Sequence, residues 1–189
     1  MIRTWAIIVM IAVAAFWRVI PHPPNFAPIT AMCLFGGAYF TSRVLAFLVP
    51  LTAMVLSDLA LELTTKIPGL YEGWLASGSG LHSGWWATYG SFALIVCIGM
   101  LLKNRQSAVT IIGASLVSSV LFFVLTNFAV WATGTLYEKN IAGLVKCYEM
   151  AIPFFNWGTM ASDLVFVGIL FGGFALAERR FPALRTVPA

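Results

Sequence analysis

The sequence predicts an all-α membrane protein, a polytopic bundle of six transmembrane helices that form a single domain, residues 1–189. The first observation behind this fold class is the composition: 60% of the residues are hydrophobic, 10% are charged, and the mean hydropathy is +0.92. Soluble domains carry about 25% charged residues, so most of this surface must face lipid. The second observation is a series of apolar segments, and the third is an uneven distribution of basic residues between the connections.

Six apolar segments approach the length of a membrane-spanning helix, which needs roughly 17–25 residues. They cover about 3–20, 25–40, 44–63, 85–102, 108–132 and 151–177. The second would span only about 24 Å at ~1.5 Å per residue, against a hydrocarbon core of ~30 Å. We therefore expect neighbouring helices to shield it from lipid. The first segment begins like a signal peptide, but its apolar stretch continues through Trp17, so we expect an uncleaved helix.

Turn-forming residues separate the segments. Pro21, Pro23 and Pro24 end the first segment, because proline lacks a backbone donor and restricts the residue before it. The stretch 64–84 contains Pro68 and five glycines, which predicts an irregular loop. The stretch 133–150 is predicted as a second long loop and as a possible gate over a binding site.

The basic residues indicate which side of the membrane each connection occupies. With the N-terminus inside, seven basic residues fall on the inner side: Arg3, Arg43, Lys103, Arg105, Arg179, Arg180 and Arg185. Four fall on the outer side: Arg18, Lys66, Lys139 and Lys146. The positive-inside rule then places both termini in the cytoplasm. Both long loops would face outward.

Polar and aromatic residues recur at one end of the predicted helices. Since helices alternate in direction across a bilayer, these residues should converge on the outer face. The candidate ligand-binding residues are Asn25, Asp58, Trp85, Tyr89, Asn127, Trp131 and Tyr148. Aromatic walls with a few fixed polar groups are typical of a small-molecule site. The sequence therefore predicts a pocket that is open to the outside.

Asp58 is the strongest of these candidates, because an ionisable side chain at membrane depth costs free energy and is often functional. Glu62 follows one helical turn later on the same face. The alternative is a structural carboxylate that hydrogen-bonds a neighbouring helix. Asn127 needs a similar partner, either a ligand or another helix. Asp163, deeper in the last segment, is expected to pair with a polar group on another helix.

Aromatic residues at the outer boundary have an alternative role as interfacial anchors, which accounts for Trp86. Trp85 and Tyr89 share a helix face and are expected to point inward together. Trp131 alone would also be an ordinary interfacial residue, but it continues a stripe from Phe123 through Asn127.

The sequence contains no pattern typical of catalysis, of a cofactor site or of a metal centre. It has no nucleophile with a base, no phosphate-binding glycine loop and no metal-ligand spacing. His22, His82 and Cys147 lack such spacing, which favours a structural or solvated role. The net charge of +4 includes no basic run, which argues against nucleic acid as a partner. The expected partners are the lipid bilayer and a small-molecule ligand.

Four runs carry a resemblance to known proteins. They are PHPPNFAPITAMCLFGGAYF at 21–40, VLSDLALEL at 55–63, FFVLTNFAVW at 122–131 and CYEMAIPFF at 147–155. Together they resemble an uncharacterised family of small bacterial membrane proteins, over nearly the whole chain. More distantly, the six-helix layout, the short second helix and the acidic residue that ends the third are similar to the S components of energy-coupling-factor (ECF) transporters.

The similarity to S components implies an S-component-like bundle that captures a vitamin or micronutrient from outside. It also implies uptake with an ATPase-driven coupling module. The first helix departs from the S-component pattern, because Ala6, Ala12, Ala14 and Ala15 give no AxxxA pair for docking to a coupling subunit.

Two other functions stay open. The chain could be an accessory structural subunit of a larger membrane complex. In that case the faces of Gly168 and Gly172 and of Ser115 and Ser119 bind partner helices, and Asp58 and Asn127 satisfy each other. An intramembrane enzyme is the third alternative, for which the sequence offers no evident acid–base pair.

Overall fold

The computed structural model describes residues 1–23, 25–64, 84–155 and 157–185, and every regular element in these ranges is helical. In chain order the α-helices are α1 (Ile2–Trp17), α2 (Ile29–Tyr39), α3 (Arg43–Thr64), α4 (Trp85–Leu101), α5 (Ala108–Thr133), α6 (Ile141–Ala151), α7 (Trp157–Val167) and α8 (Gly173–Arg180). A π-helical segment, Gly168–Gly172, joins α7 to α8. The all-α fold class is confirmed. The predicted loop at 64–84, including Pro68 and His82, lies outside the described residues except at its two ends.

Three helices are long and apolar enough to cross a membrane, by length and composition: Arg43–Thr64, Ala108–Thr133 and Thr159–Arg180. The helices α1, α2 and α4 are apolar but shorter. Only 17% of the most apolar window of α5 is buried inside the molecule, so this helix presents a wide apolar surface. Such surfaces are expected of helices in lipid, while six crossings stay a prediction.

The short helix α2 lies at the centre of the bundle. All of its residues except Ile29 are buried, and its most extensive contacts are with α4. Its 11 residues span only about 16 Å at ~1.5 Å per residue. The predicted shielding of the second helix is therefore confirmed. The helix starts later than predicted because Pro28 caps it, after a turn in which Asn25 has a left-handed φ of 61° that asparagine tolerates.

Two glycines allow α2 to approach α4 closely. A Cβ atom at Gly37 would collide with the carbonyl oxygen of Val96, and one at Gly99 would collide with the carbonyl oxygen of Leu34. The two backbones therefore touch without a side chain between them. This small-residue packing is the way in which membrane helices gain van der Waals contact.

Both chain ends lie at the same end of the molecule. Arg3, at the start of α1, forms an ion pair with Glu178 in α8 and donates to the carbonyl of Leu184. Its guanidinium also lies over the rings of Tyr39 and Phe174, 5.5 and 5.0 Å from their centroids. The start of α1 and the end of α8 are therefore held together at one end of the bundle.

The last predicted helix, 151–177, is divided in the structure. Pro153 lies in a 3-10 turn, Ile152–Phe154, and α7 begins only at Trp157. The π-helical segment then interrupts the α-helical pattern before α8. Single π-helical turns of this kind are uncommon and often lie at functional sites.

The prediction of a loop throughout 133–150 is wrong, because α6 occupies most of its second half. Asn140 caps this helix by accepting a hydrogen bond from the backbone N–H of Gly143 at 2.8 Å. Gly143, Cys147 and Ala151 recur at every fourth position and are buried. Helix α6 packs on α5, and Gly143 lies against the backbone of Glu138 in the connection before α6. The predicted gate is therefore in large part a short helix.

Candidate functional site

An ion pair joins the end of α1 to α3. Arg18 Nη2 lies 2.7 Å from Asp58 Oδ1, and the two side chains are only 11% and 8% exposed. Isolated charges at such burial are very costly, so each of the two side chains needs the other as its counter-charge. Arg18 directly follows α1, whereas Arg3 begins it. The pair therefore lies at the end of the molecule opposite to the chain termini.

Tyr89 of α4 completes the coordination of this carboxylate. Its hydroxyl donates to Asp58 Oδ2 at 2.6 Å, so both carboxylate oxygens have a partner. Arg18 also donates to the hydroxyl of Ser57, which in turn donates to the carbonyl of Met54 at 2.8 Å. We call Arg18, Ser57, Asp58 and Tyr89 the Arg18–Asp58 cluster. It connects three elements that are distant in sequence.

Aromatic rings continue from this cluster along α4 to α5. Trp85 meets Tyr89 edge-on at 6.4 Å between centroids, and Tyr89 meets Phe92 in the same way at 6.3 Å. Phe92 then stacks on Phe122 of α5 at 5.1 Å. Trp85 is 50% exposed, whereas Asp58 is buried. A half-exposed indole thus lies one helical turn from Tyr89, whose hydroxyl bonds the buried carboxylate.

Asn127, Trp131 and Tyr148 form a second group, on α5 and α6. The side-chain amide of Asn127 donates to the carbonyl one turn earlier in its own helix, at 2.8 Å. Tyr148 donates to the carbonyl of Val124 at 2.8 Å, and the indole of Trp131 donates to the carbonyl of Glu138 at 2.9 Å. These bonds fasten α6, and the connection before it, to α5.

The two groups lie toward the same end of the molecule but use different partners. The short turn after α4 makes it an antiparallel neighbour of α5, and Phe92 stacks on Phe122. The C-terminal part of α5, with Asn127, therefore extends toward the start of α4. Asp58 takes Arg18 and Tyr89 as its partners rather than Asn127. The expected mutual pairing of Asp58 and Asn127 in an accessory subunit does not occur.

Asn25 is exposed in the connection between α1 and α2, where its left-handed backbone makes the turn into α2 possible. His22 lies in the same connection, with Nδ1 2.6 Å from the carbonyl oxygen of Ile20. A ligand contact of Asn25 stays a prediction.

Cys147 is buried between α6 and α5. Its thiol donates to the carbonyl of Asn127 at 3.4 Å, and burial raises the pKa of the thiol although Lys139 opposes this rise. In the part of the chain that the structure describes, no three His, Cys, Asp or Glu side chains come together as a metal site would need.

Asp163 is paired as the sequence predicts, with polar groups on other helices. The hydroxyl of Ser119 in α5 donates to Asp163 Oδ2, and the side chain of Thr30 in α2 lies near the same carboxyl group. This carboxyl group is 5% exposed and lies on different helices from Asp58.

Arg18 is not among the predicted site residues and is predicted only as one of four basic residues on the outer side. A signal for it was present, because Arg18 directly follows an apolar helix whereas the other three lie within long connections. A basic side chain at that depth needs an anionic partner. Asp58, near the same end of the next long helix, is such a partner.

The described helices and this cluster define the class of the protein: a helical protein whose long apolar helices suit a membrane. The chain belongs to the family of unknown function DUF6580, whose model matches residues 1–184. No curated protein and no solved structure matches the chain. The membership agrees with the resemblance to an uncharacterised family, whereas the similarity to S components stays a prediction.

Proposed function

We propose that the protein captures a small vitamin-like molecule or micronutrient at the external face of a bacterial inner membrane and helps to carry it inward. Six helices would cross the membrane with both termini in the cytoplasm, as in S components. The observation that carries the proposal is the buried Arg18–Asp58 ion pair, bonded to Tyr89 and adjacent to the half-exposed Trp85.

The cost of the ion pair supports a functional role. Replacing a buried pair by apolar side chains of similar volume is often neutral or stabilising by about 1–4 kcal/mol, so packing alone does not call for one. A ligand with a polar group can compete for either partner, because Arg18 offers guanidinium N–H donors and Asp58 offers acceptor oxygens. Its planar part would lie against Trp85 and Tyr89.

The position of the cluster supports capture from outside. It lies at the end of the molecule opposite to the termini, and seven of the 11 basic residues fall on the side of the termini. An ATPase-driven coupling module remains a proposed partner. Its docking would use a surface other than an AxxxA pair on α1.

Native mass spectrometry of the gently solubilised protein tests the proposal. We expect a discrete added mass from a retained small molecule. Trp85→Ala should remove that mass, whereas Trp86→Ala should keep it. Both indoles are 50% exposed, but among the described ring contacts only Trp85 contacts the ring of Tyr89. Tyr89→Phe keeps the ring and removes the bond to Asp58, so partial loss is expected. An added mass that survives Trp85→Ala, or that both tryptophan variants lose, would contradict the site.

A second function, as an accessory subunit of a membrane complex, is favoured by one observation. Gly168 and Gly172 are exposed, and a Cβ atom at either position would meet nothing within 4 Å. An outward-facing GxxxG pair is a surface on which another membrane helix can pack. Copurification of other subunits in fixed stoichiometry, lost in Gly172→Leu but kept in Trp85→Ala, would favour this function over ligand capture.

A further inference from the structure

A buried carboxyl group without a basic partner lies between α2, α5 and α7. Asp163 accepts a hydrogen bond from Ser119, lies near the side chain of Thr30, and is 5% exposed. Among the described residues, no Lys, Arg or His forms an ion pair with it. The hydroxyl donors reduce the cost of its charge but do not neutralise it, so the group needs a proton or a cation.

The part of α5 around Ser119, which bonds this carboxyl group, carries three buried serines. Ser115 and Ser118 are 0% exposed and Ser119 is 3% exposed. Spacings of three and four residues place them on one side of the helix. The hydroxyls of Ser115 and Ser118 have no hydrogen-bond partner in the described structure. Buried polar groups are nearly always satisfied, so two unsatisfied hydroxyls about one helical turn or less from Ser119, which bonds the carboxyl group, indicate something that they bind.

We propose that Asp163, Thr30 and the serines of α5 bind one monovalent cation, with Na⁺ as the first ion to test. Every side chain in the group offers oxygen, and oxygen ligands suit hard cations. A single carboxylate balances a single positive charge. A divalent ion would leave one charge unbalanced in a buried site, which is costly.

The backbone near this group is consistent with an ion site. Asp163 lies within the candidate span Thr159–Arg180, and the π-helical segment begins just over one turn after it. Membrane transporters place coupling ions near the middle of the bilayer, where helices are irregular and can offer carbonyl oxygens. The cation would hold α2, α5 and α7 together through ligands from all three helices.

Thermal unfolding of the purified protein in detergent, in NaCl and in choline chloride at equal ionic strength and pH, tests the proposal without any organic ligand. We expect the unfolding midpoint to be about 5 °C or more higher in NaCl, as a bound ion at roughly 100 times its dissociation constant gives in a chain of this size. Asp163→Asn should abolish the difference, because the amide keeps the shape and loses the charge. Ser119→Ala should reduce it, and it also serves as the test if Asp163→Asn does not fold.

Ser91→Ala is the matched control. Ser91 is also buried, but its hydroxyl donates to the carbonyl of Ala87 in its own helix, so the sodium effect should persist. Equal midpoints of the natural protein in the two salts would overturn the proposal, as would a sodium effect that survives in Asp163→Asn. Stability that follows pH but is indifferent to sodium would show that Asp163 holds a proton instead. The Arg18–Asp58 cluster takes no part in this test, so its outcome is independent of the proposed ligand capture.

Discussion

Separate and combined substitution of the two charges in the Arg18–Asp58 ion pair should show strong coupling in stability. Arg18→Met leaves Asp58 buried with only the hydroxyl of Tyr89 as a described partner. Asp58→Asn leaves the guanidinium of Arg18 without its counter-charge. The double variant removes both charges together. Each single variant leaves one buried charge without its partner. The two single losses in the free energy of unfolding should therefore add up to more than the loss in the double variant.

The expected size of the coupling follows from the burial and geometry of the pair. The charged atoms are 2.7 Å apart and the side chains are about nine-tenths buried. Removing one partner of a buried pair costs about 3–5 kcal/mol, much of which is the penalty for the stranded charge. We expect a coupling energy of at least about 2 kcal/mol, above the ~0.6–1.7 kcal/mol that neutral interhelical hydrogen bonds show in membrane proteins.

Reversible unfolding in mixed detergent micelles measures the four species of this double-mutant cycle. A second cycle, with Arg18→Met and Ser119→Ala, is the control, because Ser119 lies in the separate Asp163 group. Distant substitutions usually add within about 0.3–0.5 kcal/mol, and we expect this of the control. If the Arg18–Asp58 cycle is additive to the same degree, the two charges do not stabilise each other and our reasoning about the cluster is refuted.

Three further predictions concern packing, the thiol of α6 and topology. In the same unfolding assay, Gly99→Ala should destabilise the protein by about 1–3 kcal/mol, because the added methyl group overpacks against α2. Gly113→Ala is the control: its added Cβ meets open space, so the change should be neutral or slightly stabilising. Because burial raises the pKa of Cys147, its alkylation followed by mass spectrometry should be slow at neutral pH and faster only well above it. Lys139→Met should slow the reaction further, since Lys139 lowers that pKa, and a faster reaction would contradict this. A reporter fused after Ala189 should read cytoplasmic, and an external signal would show that the predicted orientation is wrong.

The sequence predicts the bounds of α3, α4 and α5 well, because each of these helices is one continuous apolar segment. The predicted ranges 44–63, 85–102 and 108–132 agree closely with α3, α4 and α5. A hydropathy pattern does not identify a helix that is short and amphipathic. The apolar residues of α6 are interrupted by charged ones, so the segment reads as a loop, although the Asn140 cap and the buried small residues mark a helix.

Part of the candidate site can be predicted from the sequence, and part of it depends on the fold. The cost of burying Asp58 is visible from its place in an apolar segment, and so is its need for a partner. The identity of that partner depends on which helix ends meet. Three groups could have satisfied Asp58: Asn127, a ligand, or a basic residue on a neighbouring helix. Only the packing of α1 beside α3 selects Arg18.

Several hydroxyls of the described helices bond only within their own helix, which makes the interhelical polar contacts more informative. Ser91, Thr126 and Thr133 each donate to the carbonyl four residues earlier in their own helix. Such bonds satisfy the hydroxyl within one helix and do not constrain the packing of neighbours.

Ion pairs, by contrast, hold α1 at both of its ends, to α3 through Arg18 and to the end of α8 through Arg3. Any rigid movement of α1 against the rest of the bundle must break one of these pairs or move a partner helix with it. A ligand that replaces Asp58 or Arg18 as a partner would lower the cost of breaking only the first pair. If the proposed ligand occupies the Arg18–Asp58 cluster, α1 should therefore gain freedom at that end, while the Arg3–Glu178 pair holds the other end in place.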